Sequence, residues 1–261
     1  MNLKLIDKNK EKISFLIKDT EAAYVNTVRR LIMEEVPTMA VEEVKFIQNT
    51  SALYDEMLAL RLGLVVIKTD LKSYNLPGEC KCKGKGCAQC ETYATLKKIG
   101  PGNVYAEDLK FKDPKIKAVY PKTLIVKLGD GQEVNVQCKL ILGKGKDHAK
   151  FIPGLVYYNA YPKIEILKPT VATDAVKVCP RNVFRVANKK LNVEELEKCD
   201  LCMACVESLG KDVISVEGSK KDFIVFVEPW GQLKSQEMIE EAMKELNKKL
   251  DEFNSKVKDL K

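Results

Sequence analysis

Eight of the nine cysteines in this 261-residue chain fall into two tight clusters. Closely spaced cysteines constrain a fold strongly, because thiolates that converge on one centre fix the backbone between them. The first cluster is Cys80, Cys82, Cys87 and Cys90, with the spacing C-x-C-x4-C-x2-C. The second is Cys199, Cys202 and Cys205, spaced C-x2-C-x2-C, with Cys179-Pro180 upstream. Cys138 stands apart in the alternating stretch 134–142 and reads as a strand or core residue without a role.

Gly84 and Gly86 allow a sharp reversal inside the first cluster at small steric cost. Such a reversal brings two cysteine pairs together as a four-thiolate, tetrahedral zinc hook. Lys81, Lys83 and Lys85 would offset its negative charge and favour the thiolates. Two disulfides, or unliganded thiols, are the alternatives at this point.

The second cluster has half the cysteine pattern of a two-cluster ferredoxin. There the run is C-x2-C-x2-C-x3-C-P, and the cysteine before proline serves the other cluster. Leu209-Gly210 stand here where that last Cys-Pro would be, and Cys179-Pro180 remains from a first run. The four survivors, Cys179, Cys199, Cys202 and Cys205, are the four that would share one cluster. The expectation is one [4Fe–4S] cluster, with the 3Fe-4S form left open; a structural zinc or an oxidised, metal-free form is the alternative.

The composition, 45% hydrophobic and 31% charged, is that of an ordinary globular chain long enough for two or three domains. No run of about 18 apolar residues suggests a membrane span, and the first residues lack a signal-peptide core. Metal-type thiol spacings without a secretion signal argue for a reducing, cytoplasmic location. The net charge of +7 is carried mostly by lysine. Arginine, the residue of base readout and phosphate clamping, is confined to Arg29, Arg30, Arg61, Arg181 and Arg185, so little or no direct nucleic-acid contact is expected. The one histidine, His148, lies in a glycine- and lysine-rich loop, and no phosphate-binding or nucleophile-elbow motif occurs. Catalytic residues are therefore not expected.

Residues 3–6 and 13–17 read as paired strands with a turn at 7–10. Asp19 or Thr20 can cap a helix to about Glu35, with Val25, Val28, Ile32 and Val36 on one face and Pro37 as its stop. Residues 40–47 follow as a strand, 51–62 as a helix and 63–67 as a strand. Residues 124–128 precede Gly129-Asp-Gly131 and suggest a hairpin. Residues 156–167 and 222–228 read as strands, the latter apolar on both faces. A long helix spans 235–259, with Ile239, Ala242, Leu246, Leu250, Phe253, Val257 and Leu260 near heptad spacing. Such a seam must cover its own sheet or a partner's helix.

Three ordered motifs then resemble those of one family. Val25-Asn-Thr-Val-Arg29-Arg30-Leu-Ile-Met-Glu-Glu-Val36-Pro37 is similar to the N-terminal dimerisation motif of the RNA polymerase alpha family. Leu53-Tyr-Asp-Glu-Met-Leu-Ala-Leu-Arg61-Leu-Gly63 resembles its next segment, with Leu60 where histidine is common. His148-Ala-Lys-Phe-Ile-Pro153 resembles a third element. The four-cysteine loop is similar to that of the family's eukaryotic members, and the ferredoxin-like insertion to that of its archaeal members. Some archaeal members carry two complete cluster motifs, whereas this chain would carry one.

The resemblance implies an α+β fold: a discontinuous dimerisation domain of sheet plus long helices (1–42, 161–168 and 222–261). It also implies an inserted, mainly-β domain (43–160, with the cysteine loop 80–90) and a ferredoxin-like Fe–S module (169–221). The implied role is a non-catalytic assembly platform of DNA-directed RNA polymerase. It would pair with small subunit L, dock the second-largest subunit and also hold small subunits N and P. The cluster would be structural or assembly-regulating. The implied partner-binding residues are Val25, Val28, Arg29, Arg30, Ile32, Arg61, Leu246, Leu250, Phe253 and Val257. The competing readings are a free-standing ferredoxin-like electron carrier and a nucleic-acid-binding zinc protein.

Overall fold

The computed structural model describes residues 1–260. Strands β1 (Asn2–Lys8) and β2 (Ile13–Lys18) pair antiparallel. Their turn lies at 9–12 rather than 7–10, because Asn9 Oδ1 accepts from the N–H groups of Glu11 (2.9 Å) and Lys12 (2.8 Å). Helix α1 (Ala22–Glu34) follows, and its apolar face is buried. β3 (Thr38–Asn49) leads to helix α2 (Asp55–Gly63).

The expected strand at 63–67 does not form. The helix consumes it: Leu64 N–H bonds the Leu60 carbonyl at 3.1 Å and Val65 N–H that of Leu62 at 3.3 Å. Only Ile67 makes a single bridge, to Ala118. β4 (Glu91–Ile99), β5 (Gly102–Tyr105), β6 (Lys110–Phe111), β7 (Leu124–Leu128) and β8 (Glu133–Gly143) follow the cysteine loop. The expected hairpin of β7 with β8 is also absent. Both edges of β8 are taken, by β3 and β4, so β7 pairs with β5 instead.

β9 (Gly154–Ile166) precedes the second cysteine module, which contains α3 (Ala175–Val178), β10 (Phe184–Ala187), β11 (Lys190–Val193) and α4 (Ala204–Leu209). β12 (Ile214–Pro229) begins inside that module, earlier than the expected strand, and α5 (Ser235–Lys258) closes the described chain. No helix among the described residues is long and apolar enough to cross a membrane.

The chain divides into two compact units. The first comprises Met1–Arg29 and Tyr157–Val227. Its sheet runs β1-β2-β12-β9, beside the two-stranded β10-β11 ribbon. A small apolar core there gathers Ala172, Ala175, Phe184, Leu191, Val206 and Ile214.

The second unit comprises Arg30–Val156 and the segment from Glu228 onward. Its main sheet runs β3-β8-β4-β6, with β5-β7 as a second ribbon. β8 alternates strictly, so Val134, Val136, Cys138, Leu140 and Leu142 point inward onto Leu58 and Leu62 of α2 and the rest of this core. Cys138 is a core residue, and burial pushes its thiol up to about 12.

Candidate functional site

The four-cysteine loop is built by backbone reversal. Lys83, Gly84 and Gly86 all adopt left-handed conformations, with φ of 54°, 77° and 87°. A side chain at position 86 would meet more than strain. A Cβ built there would lie 2.7 Å from Glu91 Oε2, a carboxylate anchored by the Tyr93 hydroxyl at 2.8 Å.

The reversal stacks the two cysteine pairs. Sγ–Sγ separations are 3.5 Å for Cys80–Cys87, 3.5 Å for Cys82–Cys90 and 3.7 Å for Cys87–Cys90. A zinc–sulfur bond of about 2.3 Å gives a tetrahedron edge of about 3.8 Å, so these sulfurs surround a centre of the right size for zinc. All four Sγ atoms lie within 4.8 Å of one another, and this group alone among the described residues converges so closely. Desolvation pushes the Cys82 thiol up, but hydrogen bonds from Cys90, Cys80 and Cys87 outweigh it and bring Cys82 down to about 7. Burial raises Cys90 to about 12. The four cysteines could hold a metal ion.

The second cysteine set surrounds a different kind of space. Cys179 follows α3, Cys199 follows a short 3-10 turn, and Cys205 sits in the first turn of α4. Leu201 and Met203, on either side of Cys202, are left-handed (φ 61° and 64°), which turns the short loop back on itself. All four cysteines line one small pocket walled by Val183, Phe184 and Val216. Cys205 is buried, Cys179 and Cys199 are half-buried, and Cys202 is exposed. Burial raises the thiols of Cys199 and Cys205, and the neighbouring cysteines add to both shifts. Asp200 beside them accepts from Arg181 Nε at 2.7 Å, and its other carboxylate oxygen is buried without a partner.

The partner-surface residues separate into two groups. Val25, Val28 and Ile32 are 1%, 6% and 0% exposed, so their side chains are packed within the chain itself. The face that makes α1 amphipathic is the face the chain buries. Arg29 is half-buried and its Nε donates to Asn26 Oδ1 at 3.0 Å. Arg30 is exposed and forks onto Glu34, with both hydrogen bonds at 3.0 Å. Arg61 Nη1 donates to the Ile125 carbonyl at 3.0 Å, fastening α2 to β7. On α5, Met238 and Ala242 are buried and Leu246 is half-buried, whereas Leu250, Phe253 and Val257 are 50%, 65% and 44% exposed. The first half of the seam is covered within the chain and the second half faces outward.

Two features escaped the sequence patterns. Tyr54, Met57, Leu60 and Leu64 form an exposed apolar stripe on and beside α2, opposite buried Leu58 and Leu62. The available signal was that α2 has more apolar residues than one buried face needs. The other feature is an ionic hub at Glu35, whose carboxylate receives Lys249 at 2.6 Å, Lys144 at 3.3 Å and Lys146 at 3.3 Å. No local pattern announces it, because its members are far apart in the chain. His148 is a loop residue whose Nδ1 accepts from Lys150 N–H at 3.0 Å.

Residues 44–153, which hold most of the β3-β8-β4-β6 sheet and the four-cysteine loop, match the family model of the RNA polymerase Rpb3/RpoA insert domain. The fold is thus of the class of alpha-like polymerase subunits. DNA-directed RNA polymerase subunit Rpo3 of Methanosphaera stadtmanae is 37% identical over 261 residues, covering 96% of each chain. The Rpo3 subunits of Archaeoglobus fulgidus and Pyrococcus furiosus are each 33% identical, covering 99% and 100% of this chain and 98% of their own. The chain belongs to the DNA-directed RNA polymerase subunit Rpo3 family.

Proposed function

We propose that this chain is the non-catalytic assembly platform of an archaeal DNA-directed RNA polymerase. The observation that carries this reading is the end-to-end match to Rpo3 relatives, with 96% of the chain covered at 37% identity. In the proposed arrangement, residues 1–42, 161–168 and 222–261 form the dimerisation domain and 43–160 the inserted domain. Small subunit L packs on the outward half of α5, at Leu246, Leu250, Phe253 and Val257. Burying these side chains contributes about 1 kcal/mol each, one part of the large apolar area an obligate contact needs. The second-largest subunit docks on the inserted domain, where Arg61 and the apolar stripe of α2 offer a charged and an apolar contact side by side. Arg29 and Arg30 orient a large subunit, and small subunits N and P complete the assembly.

In the same reading, residues 169–221 form a ferredoxin-like module in which Cys179, Cys199, Cys202 and Cys205 hold one iron–sulfur cluster. The wider cysteine set suits a cubane, in which each thiolate binds a different iron, better than a single tetrahedral ion. The metal supplies folding free energy to a module with a small core. Cys80, Cys82, Cys87 and Cys90 hold one zinc ion that fixes the loop between α2 and β4.

The test is anaerobic affinity purification of the tagged chain from its native cells, with mass spectrometry and metal analysis of the product. Stoichiometric recovery of the two largest polymerase subunits and subunit L, with iron and sulfide, is the expected result. Recovery of the chain alone, or with a reductase, would overturn the platform reading in favour of electron transfer.

A further inference from the structure

A groove of about 690 Å³ in the second unit separates the first half of α5 from a floor of two paired segments. The floor is rigid. Lys68 N–H bonds the Lys117 carbonyl at 2.8 Å, Val119 N–H the Val66 carbonyl at 2.9 Å, and Thr69 N–H the Gln232 carbonyl just before α5 at 3.0 Å. Side chains alternate along it: Ile67, Ile116 and Ala118 are buried, which turns Lys68 and Lys117 outward into the groove. Lys72 joins them, and among the described residues none of these three lysines pairs with a carboxylate. The opposite wall is α5, where Glu237, Glu240 and Glu241 are engaged along their own helix and not across the groove, Glu241 by Lys244, which lines the same wall.

The floor is thus net positive, with its one acid, Asp70, paired to Lys115, and the α5 wall is net negative, while among the described residues no ion pair crosses the groove. That pattern selects the occupant. A polyanion such as nucleic acid or a lipid headgroup is repelled by the glutamates, and a uniformly basic tail by the lysines. An extended polypeptide sends successive side chains to opposite sides. A strand in which acidic and basic residues alternate thus places carboxylates on the lysine wall and cations on the glutamate wall.

We infer that this groove seats an extended, charge-alternating segment of another polymerase subunit. The inference rests on the platform reading. Solvent-exposed pairs of this kind give orientation and partner choice more than affinity, which suits a contact made inside a larger assembly.

A photo-cross-linking amino acid placed at Lys72 in the polymerase assembled in native cells tests this. The expected product is a cross-link to one peptide of another subunit with alternating acidic and basic residues. Cross-links to nucleic acid, to this chain alone or to no protein overturn the inference. As a second measurement, Lys68→Glu with Lys117→Glu should lower the yield of that cross-link about tenfold at about 0.05 M salt, where exposed pairs are least screened. An unchanged cross-link yield overturns it as well. If the wild-type tagged chain brings down no polymerase subunit, the platform reading fails first. If it does and the groove gives no cross-link, only the groove assignment falls.

Discussion

Lys249 Nζ of α5 lies 2.6 Å from Oε1 of Glu35, the residue that follows α1. The Glu35 carboxylate is buried and is shared with Lys144 and Lys146, and Lys144 in turn holds Glu245 of α5 at 2.5 Å. One carboxylate thus fastens the end of α1 and the 144–146 loop to the long helix.

This hub predicts acid sensitivity. Burial pushes Glu35 up, but hydrogen bonds from Lys249, Lys144 and Lys146 outweigh it and hold the carboxyl at about 2, against an ordinary value of 4.5. The folded-state value is depressed, so the stabilisation is complete above about pH 4.5 and is lost as pH falls toward about 2. The full difference is worth about 3 kcal/mol. Glu35→Gln should cost about 2 kcal/mol at neutral pH, because Lys144 keeps Glu245 as a partner and the other two lysines reach water. Urea unfolding of both proteins from pH 6 to pH 3 measures this. The two stability curves should converge as pH falls; parallel curves would exclude the hub as the source.

Gly86 predicts a second effect. Ala at φ 87° is strained, and its methyl group would collide with the Glu91 carboxylate. Gly86→Ala should therefore cost about 1–2 kcal/mol in the loop and weaken zinc retention about tenfold. Cys82→Ser should abolish retention. Zinc content after dialysis against a graded chelator reads both, and retention by Gly86→Ala equal to wild type would show that the loop is not metal-organised.

Much of this is legible in the amino-acid order alone. The cysteine spacings announce both groups of thiols, because short-range spacing directly limits where thiols can go. The alternation of 134–142 announces a buried strand with Cys138 inside. What is not legible depends on competition between distant segments. Residues 63–67 have strand composition, yet the end of α2 takes the first of them. Residues 124–128 look like half of a hairpin, yet β8 has no free edge to offer them. Val25, Val28 and Ile32 form an apolar face equally suited to a core or to a partner, and only the folded chain shows that it is buried within the chain. The lysines around Glu35 carry no local pattern at all.

The second cysteine module carries a third prediction. Its core is small, so its order should depend on what the cysteines hold. Chelation of iron from the anaerobic protein should raise amide exchange across 169–213 while leaving β3, β4 and β8 protected. Cys205→Ser should reproduce the pattern, since Cys205 is the buried member of the set. Exchange that is unchanged on iron removal would mean that the module folds without a cluster.

The outward half of α5 carries the last prediction. Leu250, Phe253 and Val257 are spaced three and four residues apart on one helical face and lie open to solvent, beyond the buried anchors Met238 and Ala242. Aspartate at 250 and 253 therefore removes little packing from the chain itself, and its melting temperature should stay within about 2 °C of wild type. If the seam is a subunit contact, the same two charges must be desolvated in the interface, at a cost of several kcal/mol. Leu250→Asp with Phe253→Asp should then reduce co-purification of the small partner subunit by more than about a hundredfold. Size-exclusion chromatography of the co-expressed pair reads the result directly. A variant that still elutes as the heterodimer would move the contact away from this face, whereas loss of the heterodimer with an unchanged melting temperature places the energy of association on these side chains.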